Sequence, residues 1–288
     1  MQIRISTGSA IALGLMKGSM ISEPCITYLM LTGVCDAKCS YCTWGMNDYL
    51  SRVRWPEFDV SLLKNVNAFC LQTIEKEGLE RELDEVLERI NARKKDVAIS
   101  YMTAEREEIL EKNSVKSIGI GLDACTEALY RKHKPRLSWN RAIESMKCEN
   151  FDVVCHVILG IGESDEDFLR FVQNTDAMGV KLALFAYTPV RGKKPVGSIS
   201  MNRYRTLQLA SHLIESGKIS IDDLSFDRGK LTSMPEMMDE KAFLTRGCES
   251  CNRPFYNERA SQEPMNFSSE ACGYDFEREI REYVCDKC

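Results

Sequence analysis

Long apolar runs are missing from this chain. No stretch approaches the roughly 18 residues that a membrane-spanning helix needs. The apolar stretch nearest the N-terminus, Ile11 to Leu15, is short and is followed by Lys17 and Gly18, unlike a secretory signal. Positive charge is not in excess either. The net charge of −5 provides no global basic field to attract nucleic acid. Internal repeats and low-complexity tracts are also lacking, which excludes a solenoid or a disordered linker protein. The expectation is a cytoplasmic protein with no membrane and no nucleic-acid partner. Its 288 residues suit one barrel-sized α/β domain and a small appendage.

Cysteine, by contrast, is plentiful. Thirteen cysteines in a reducing compartment point to metal binding rather than to disulfides, the more so because the number is odd and most are grouped. Cys25, Cys125, Cys148 and Cys155 stand alone and read as small hydrophobes.

Strand patterns occur at 26–33, 68–73, 97–102, 117–123, 152–159 and 180–187. Each is short, rich in β-branched and aromatic residues, and bounded by Gly, Asp or Pro. Helical patterns fall at 5–17, 76–94, 103–113, 126–133, 138–148, 164–178 and 201–216, several beginning at a Ser or Thr suited to capping. Strands alternating with helices argue for parallel βαβ units. Six strands predict an incomplete barrel or an open, curved parallel sheet, with chemistry at the C-terminal strand ends. After about residue 235 aliphatic periodicity fades, while Cys248, Cys251, Cys272, Cys285 and Cys288 appear. So short a segment reads as stapled by metal.

Immediately after the first of these strands comes CDAKCSYC, with Cys35, Cys39 and Cys42. Three thiolates on one loop suit three irons of a cubane and leave the fourth iron open to the amino and carboxylate groups of a ligand. A zinc site here would lack its fourth ligand, and no histidine stands nearby.

The C-x3-C-x2-C spacing, with Tyr41 before the last cysteine, resembles the radical S-adenosylmethionine superfamily. The resemblance implies a [4Fe-4S] cluster on Cys35, Cys39 and Cys42 that cleaves S-adenosylmethionine to a 5′-deoxyadenosyl radical, with Tyr41 near the adenine. It assigns Gln72, Thr73 and Glu75, in FCLQTIE, to the methionine end, although the usual Gly-Gly-Glu is absent. Asp123 falls where a polar group binds the ribose, a helix cap being the alternative. Ile158, Gly160 and Glu163 keep the family's G-x-I-x-G-x-x-E, with His156 in place of the first glycine.

Further segments (STGSAIALGL, TYLMLTGVC, RVRWP, IGIGLDA, the TPV at 188–190 and above all CESCNRPFYNE) resemble the biotin-synthase-related archaeal-type lipoyl synthases. That group works as paired chains. The resemblance implies sulfur insertion into an octanoyl chain on a lipoyl-carrier domain, a ferredoxin- or flavodoxin-type electron donor and a second iron–sulfur cluster as sulfur source. Cys248 and Cys251 would hold that cluster with Cys272 or with Cys285 and Cys288, and Asn252, Arg253 and Tyr256 would shape its surroundings. Ser268 or Ser269 is an alternative weak ligand. Two C-x2-C pairs also fit structural zinc, and the stretch RASQEPMNFSS departs from the group's pattern. A biotin-synthase arrangement would use thiolates on successive strands. Cys70 matches one, but the third strand offers Ser100 and Cys155 is out of register. The expected architecture is thus a partial (β/α)6 TIM-like barrel over 26–234. A short N-terminal helix (1–25) precedes it, and a Cys-rich C-terminal metal-binding extension (235–288) follows.

Overall fold

A computed structural model describes residues 1–20, 22–43, 48–64, 66–190, 192–249, 251–253, 257, 264–268 and 276–284. The chain begins with β1 (Gln2–Ile5) and α1 (Thr7–Ala12), then β2 (Thr27–Met30). Three short strands follow: β3 (Tyr49–Leu50), β4 (Val53–Arg54) and β5 (Glu57–Asp59). The βα series then runs β6 (Ala68–Gln72), α2 (Leu79–Arg89), β7 (Lys94–Ile99), α3 (Ala104–Lys112), β8 (Ser117–Asp123), α4 (Glu127–His133), α5 (Trp139–Ser145), β9 (Asp152–Leu159), α6 (Asp165–Ala177), β10 (Lys181–Ala186) and α7 (Met201–Glu215). A hairpin, β11 (Ser225–Asp227) with β12 (Lys230–Ser233), and α8 (Phe276–Val284) complete the described elements.

All six expected strands are present. They pair in parallel in the order β10-β9-β8-β7-β6-β2, and β1 and β5 extend this sheet beyond β2. The sheet is therefore an open, partial barrel rather than a closed one. Its strands are near-continuous apolar runs because both faces are covered. The outer face packs on helices whose starts are set by Thr103, Thr126, Ser138, Ser164 and Ser200, each accepting a hydrogen bond from the backbone N–H three residues on. In α2 the buried face is Leu79, Leu83, Val86 and Leu87, spaced as a helix requires.

The N-terminal reading needs correction. The pattern at 5–17 is split: Ile3 and Ile5 are fully buried on a strand antiparallel to both β2 and β5, and the helix starts only after Ser6. The Ser6 hydroxyl accepts from Ser9 N–H and so sets the helix start there.

The C-terminal segment has an apolar core after all, shared with the barrel. Phe243 and Phe276 stack at 3.8 Å, and Phe267 meets Phe276 edge-on. The guanidinium of Arg205, fully buried on α7, lies near all three rings. Scattered aromatics of this kind carry no period, so the sequence pattern missed them. No helix among the described residues is long and apolar enough to cross a membrane.

Candidate active site

The loop after β2 brings Cys35, Cys39 and Cys42 to a cavity of about 220 Å³ at the C-terminal ends of the parallel strands. Contacts from distant parts of the chain hold the loop. Ser40 N–H donates to the His133 carbonyl, and the Lys193 ammonium donates to the carbonyls of both Cys39 and Cys42. His133 bonds through both ring nitrogens, Nδ1 to Ser40 Oγ at 2.6 Å and Nε2 to the Ile161 carbonyl at 2.8 Å. A neutral ring donating from Nε2 and accepting at Nδ1 satisfies both bonds, and burial pushes its pKa down accordingly.

Tyr41 and Asp123 also line the cavity. The Tyr41 hydroxyl donates to Asp123 Oδ2 at 2.5 Å, and Lys134 Nζ donates to the same oxygen at 2.8 Å. Asp123 sits in the left-handed backbone region at φ 67°, an uncommon conformation for a residue with a Cβ. Burial alone would raise its carboxyl, but the Lys134 ammonium holds it below the usual carboxylate range. Both bonds fall on Oδ2, which leaves Oδ1 to accept from a hydroxyl in the cavity. The helix-cap alternative for Asp123 is not what the structure shows: Thr126 caps α4. Lys134, just past the end of α4, was not singled out from the sequence, because nothing in its spacing marks it.

Gln72, Thr73, Glu75 and Ile158 line the same cavity. Their polar groups are partly committed. Thr73 Oγ1 donates to the Ala98 carbonyl at 2.8 Å, and the Glu75 carboxylate takes two bonds from Arg106, whose side chain is 4% exposed. Gln72 Nε2 donates to Cys70 Sγ at 3.0 Å, so this amide links the cavity to the layer beneath it. Gly160 is not part of the lining; its backbone runs against residues 198–199, where a Cβ would approach Ser198 O to 2.9 Å.

His156 occupies the cavity wall in place of a glycine and meets Phe185 edge-on at 5.4 Å. Space for the imidazole is made at Gly119, where a Cβ would lie 2.6 Å from His156 Nε2. Burial pushes the imidazole down to about 4, with Arg253 adding to the effect. The ring is therefore neutral at physiological pH.

Glu163 organises the loop after β9. Its carboxylate accepts from the N–H groups of Gly160 (2.7 Å), Ile161 (3.0 Å) and Gly162 (3.2 Å), and pairs with Arg203 at 3.0 Å. Charge-assisted bonds of this kind are the strong ones. Glu163→Gln turns one acceptor into a donor facing these N–H groups. It is expected to cost about 2–3 kcal/mol, read as a lower urea midpoint at unchanged slope. A loss under roughly 0.5 kcal/mol, the range of an ordinary surface change, would show that the loop holds its shape without this carboxylate.

The donor set suits a cluster. Among the described residues no three His, Cys, Asp or Glu groups converge as a single ion would require. The three thiols instead face a cavity, as ligands to separate irons of one cubane do. Burial raises the Cys39 thiol, and the nearby Lys134 cation offsets only part of that rise.

Comparison with known proteins bears on the same loop. No protein-family model matches the chain. It is 27% identical over 177 residues to the biotin synthase of Nautilia profundicola, an alignment spanning 54% of this chain and 63% of that one. The shared part is thus under two thirds of the relative's length. Among solved structures the chain superposes on Streptococcus suis SuiB with a TM-score of 0.51 at 14% identity, over 65% of this chain and 45% of that one. It superposes on the FeFe-hydrogenase maturase HydG from Carboxydothermus hydrogenoformans with a TM-score of 0.50 at 18% identity, over 66% and 51%. The likenesses to solved structures show the fold. In that fold and in its three-cysteine loop the chain resembles the radical S-adenosylmethionine enzymes.

The loop after β2 carries three of the eight cysteines expected to bind metal. Cys248 and Cys251 lie elsewhere. Cys248 lies beside Ser117, and Cys251 Sγ is 3.3 Å from the Tyr28 hydroxyl. Asn252 is tied to the N-terminal region, accepting from Cys25 N–H and donating to the Glu23 carbonyl. Arg253 is buried with its guanidinium 4.2 Å from the Phe185 ring centroid. Ser268 is exposed, 3.2 Å from the Ser22 hydroxyl. Cys272, Cys285, Cys288, Tyr256 and Ser269 lie outside the described residues. Cys155 is fully buried beside His156. Strand alternation sends it to the opposite face, away from the cavity.

Proposed function

We propose that this chain inserts sulfur into an unactivated C–H bond, with an octanoyl chain on a lipoyl-carrier domain as substrate. The observation that carries this reading is the division of thiols between two places. Three sit at the mouth of the half-barrel, and Cys248 and Cys251 approach its inner strands at Tyr28 and Ser117. Sulfur insertion needs a radical generator and a separate sulfur source. Cys35, Cys39 and Cys42 would hold a four-iron cluster, which would supply the electron for reductive cleavage of S-adenosylmethionine.

The chain's own residues bind and orient around that chemistry. Asp123, fixed by Tyr41 and Lys134, presents Oδ1 to a ribose hydroxyl. Tyr41 closes the adenine side. Gln72 and Thr73 offer polar atoms toward the methionine end, and Ile158 and Phe185 supply apolar walls that shield a radical from water. Neutral His156 gives the substrate region one hydrogen-bonding group without a charge. A paired chain and a ferredoxin- or flavodoxin-type donor belong to the same reading.

A biotin-type reaction is the second reading. It is favoured by the Nautilia relative and by Cys70 on the second parallel strand. Its lack of a thiol on the third strand counts against it, since β7 contains no cysteine.

The test is an anaerobic incubation of the reconstituted chain with S-adenosylmethionine, dithionite and either octanoylated carrier domain or the sulfur-free biotin precursor. The expected result is 5′-deoxyadenosine together with a carrier whose mass rises by one or two sulfur atoms. 5′-Deoxyadenosine with sulfur only on the biotin precursor selects the second reading. 5′-Deoxyadenosine without sulfur on either compound rejects both.

A further inference from the structure

Beneath the cavity, toward the N-terminal ends of the strands, the barrel interior carries a row of polar side chains. Tyr28, Cys70, Asp96 and Ser117 are register partners on β2, β6, β7 and β8. Neighbours in such a row stand about 4.8 Å apart. Cys70 lies on the same strand face as Gln72, and Asp96 on the same face as Ala98, both of which line the cavity above. The row therefore faces inward.

Residues 247–249 and 251–253 close over this row. The segment enters at Gly247, with φ 107°, where a Cβ would lie 2.7 Å from Ala183 Cβ and 2.9 Å from Val154 Cγ1. Only glycine lets the backbone pass so close to β9 and β10. Lys94, at the start of β7, donates to the Glu249 carbonyl from below. Cys248 lies beside Ser117 at one end of the row, and Cys251 meets Tyr28 at the other. Tyr28 Oη also accepts from Arg253 N–H at 2.9 Å. Between those two anchored thiols lie Cys70 and Asp96.

Two features of this floor make no sense as mere packing. Asp96 is 1% exposed, and neither carboxylate oxygen has a hydrogen-bond partner among the described residues. An unsatisfied buried carboxylate is costly. Arg253 is a buried guanidinium with no carboxylate partner among the described residues. The groups that act on it most strongly are Cys251, Cys248 and Tyr28. Buried cations require opposite charge nearby. Here thiols stand where that charge belongs. An anionic metal–thiolate group would answer both features, giving Asp96 a metal to ligate and Arg253 a counter-charge.

We propose that Cys70, Cys248 and Cys251 hold an iron–sulfur cluster at the floor of the half-barrel, with Asp96 as the oxygen ligand of its remaining iron. This rests on the reading that the chain carries a second cluster, and it replaces the C-terminal cysteines with two residues from the inner strands.

The test uses the full chain carrying Cys35→Ala, Cys39→Ala and Cys42→Ala, reconstituted anaerobically with iron and sulfide. Iron, sulfide and zinc are measured together with the electron paramagnetic resonance spectrum of the reduced protein. The expected content is about four irons and four sulfides per chain. Adding Cys70→Ser should lower iron at least fourfold while the circular dichroism melt is retained. If that variant does not fold, Cys248→Ser, on the loop, should give the same loss. Adding Asp96→Asn should keep the iron and shift the resonance spectrum. Full iron with Cys70→Ser folded would overturn the assignment and leave the second-cluster reading standing. An unchanged spectrum with Asp96→Asn would remove the carboxylate from the ligand set. No iron in the triple variant, or zinc in its place, would overturn both the assignment and the reading it rests on.

Discussion

Cys39→Ala is expected to reduce cleavage of S-adenosylmethionine to background and to remove about four irons from the anaerobically purified protein. A cubane with only two thiolates from its loop is poorly held, and Cys39 is the middle ligand of the three. The loop should survive the change. Its shape is set by backbone bonds from Lys193 and to His133, which do not use the Cys39 side chain. Thermal unfolding of the metal-free variant should therefore match that of metal-free wild type. Iron content and 5′-deoxyadenosine formation are the two measurements. Retention of both would exclude the loop as the cluster site. Loss of iron together with a collapsed melt would assign the loop a structural role instead.

Lys134→Met is expected to destabilise the fold by about 3–5 kcal/mol, the cost of stranding one partner of a buried ion pair. The Lys134 side chain is 3% exposed and bonds both Asp123 and the Gly121 carbonyl. Without the ammonium, burial dominates at Asp123 and its carboxyl moves above the usual range. The sign with pH follows. In wild type the depressed carboxyl contributes stability at neutral pH that is lost as pH falls through its folded value. In the variant the carboxyl protonates more readily in the folded state, so acid relieves the penalty. The gap between the two proteins should thus be larger at pH 7 than at pH 5 in denaturant melts. Asp123→Asn in the Lys134→Met background should recover much of the loss, because it removes the stranded charge. A gap independent of pH, with no recovery in the double variant, would mean that Lys134 acts through packing alone.

Six parallel strands and their helices were legible because each carries its own signal: an apolar run, a turn residue, a Ser or Thr at the helix start. The three-cysteine loop was legible because its thiols lie within eight residues. What escaped has a different physics. β1 and β5 are short and acquire strand form from their neighbours, so Ile3 and Ile5 looked like part of a helical pattern. Lys134, Lys193 and Arg106 act through tertiary contacts that spacing does not encode. Asp96 is a single acidic residue inside an apolar strand, and Cys70 a single thiol; each has meaning only beside a loop some 150–180 residues away. The C-terminal aromatics escaped for the same reason, since Phe243, Phe267 and Phe276 meet only after folding around Arg205. His156 was visible as a departure from the family pattern, but the room that Gly119 makes for it was not.

The position of residues 247–249 and 251–253 under the strands has a consequence for how the protein is made. A ribosome adds about 5–20 residues per second, and Cys251 follows Cys42 by 209 positions. The loop with Cys35, Cys39 and Cys42 therefore leaves the ribosome about 10–40 s before Cys251 does, and the cavity above it is complete only when Thr188, Lys193 and Asn257 have followed.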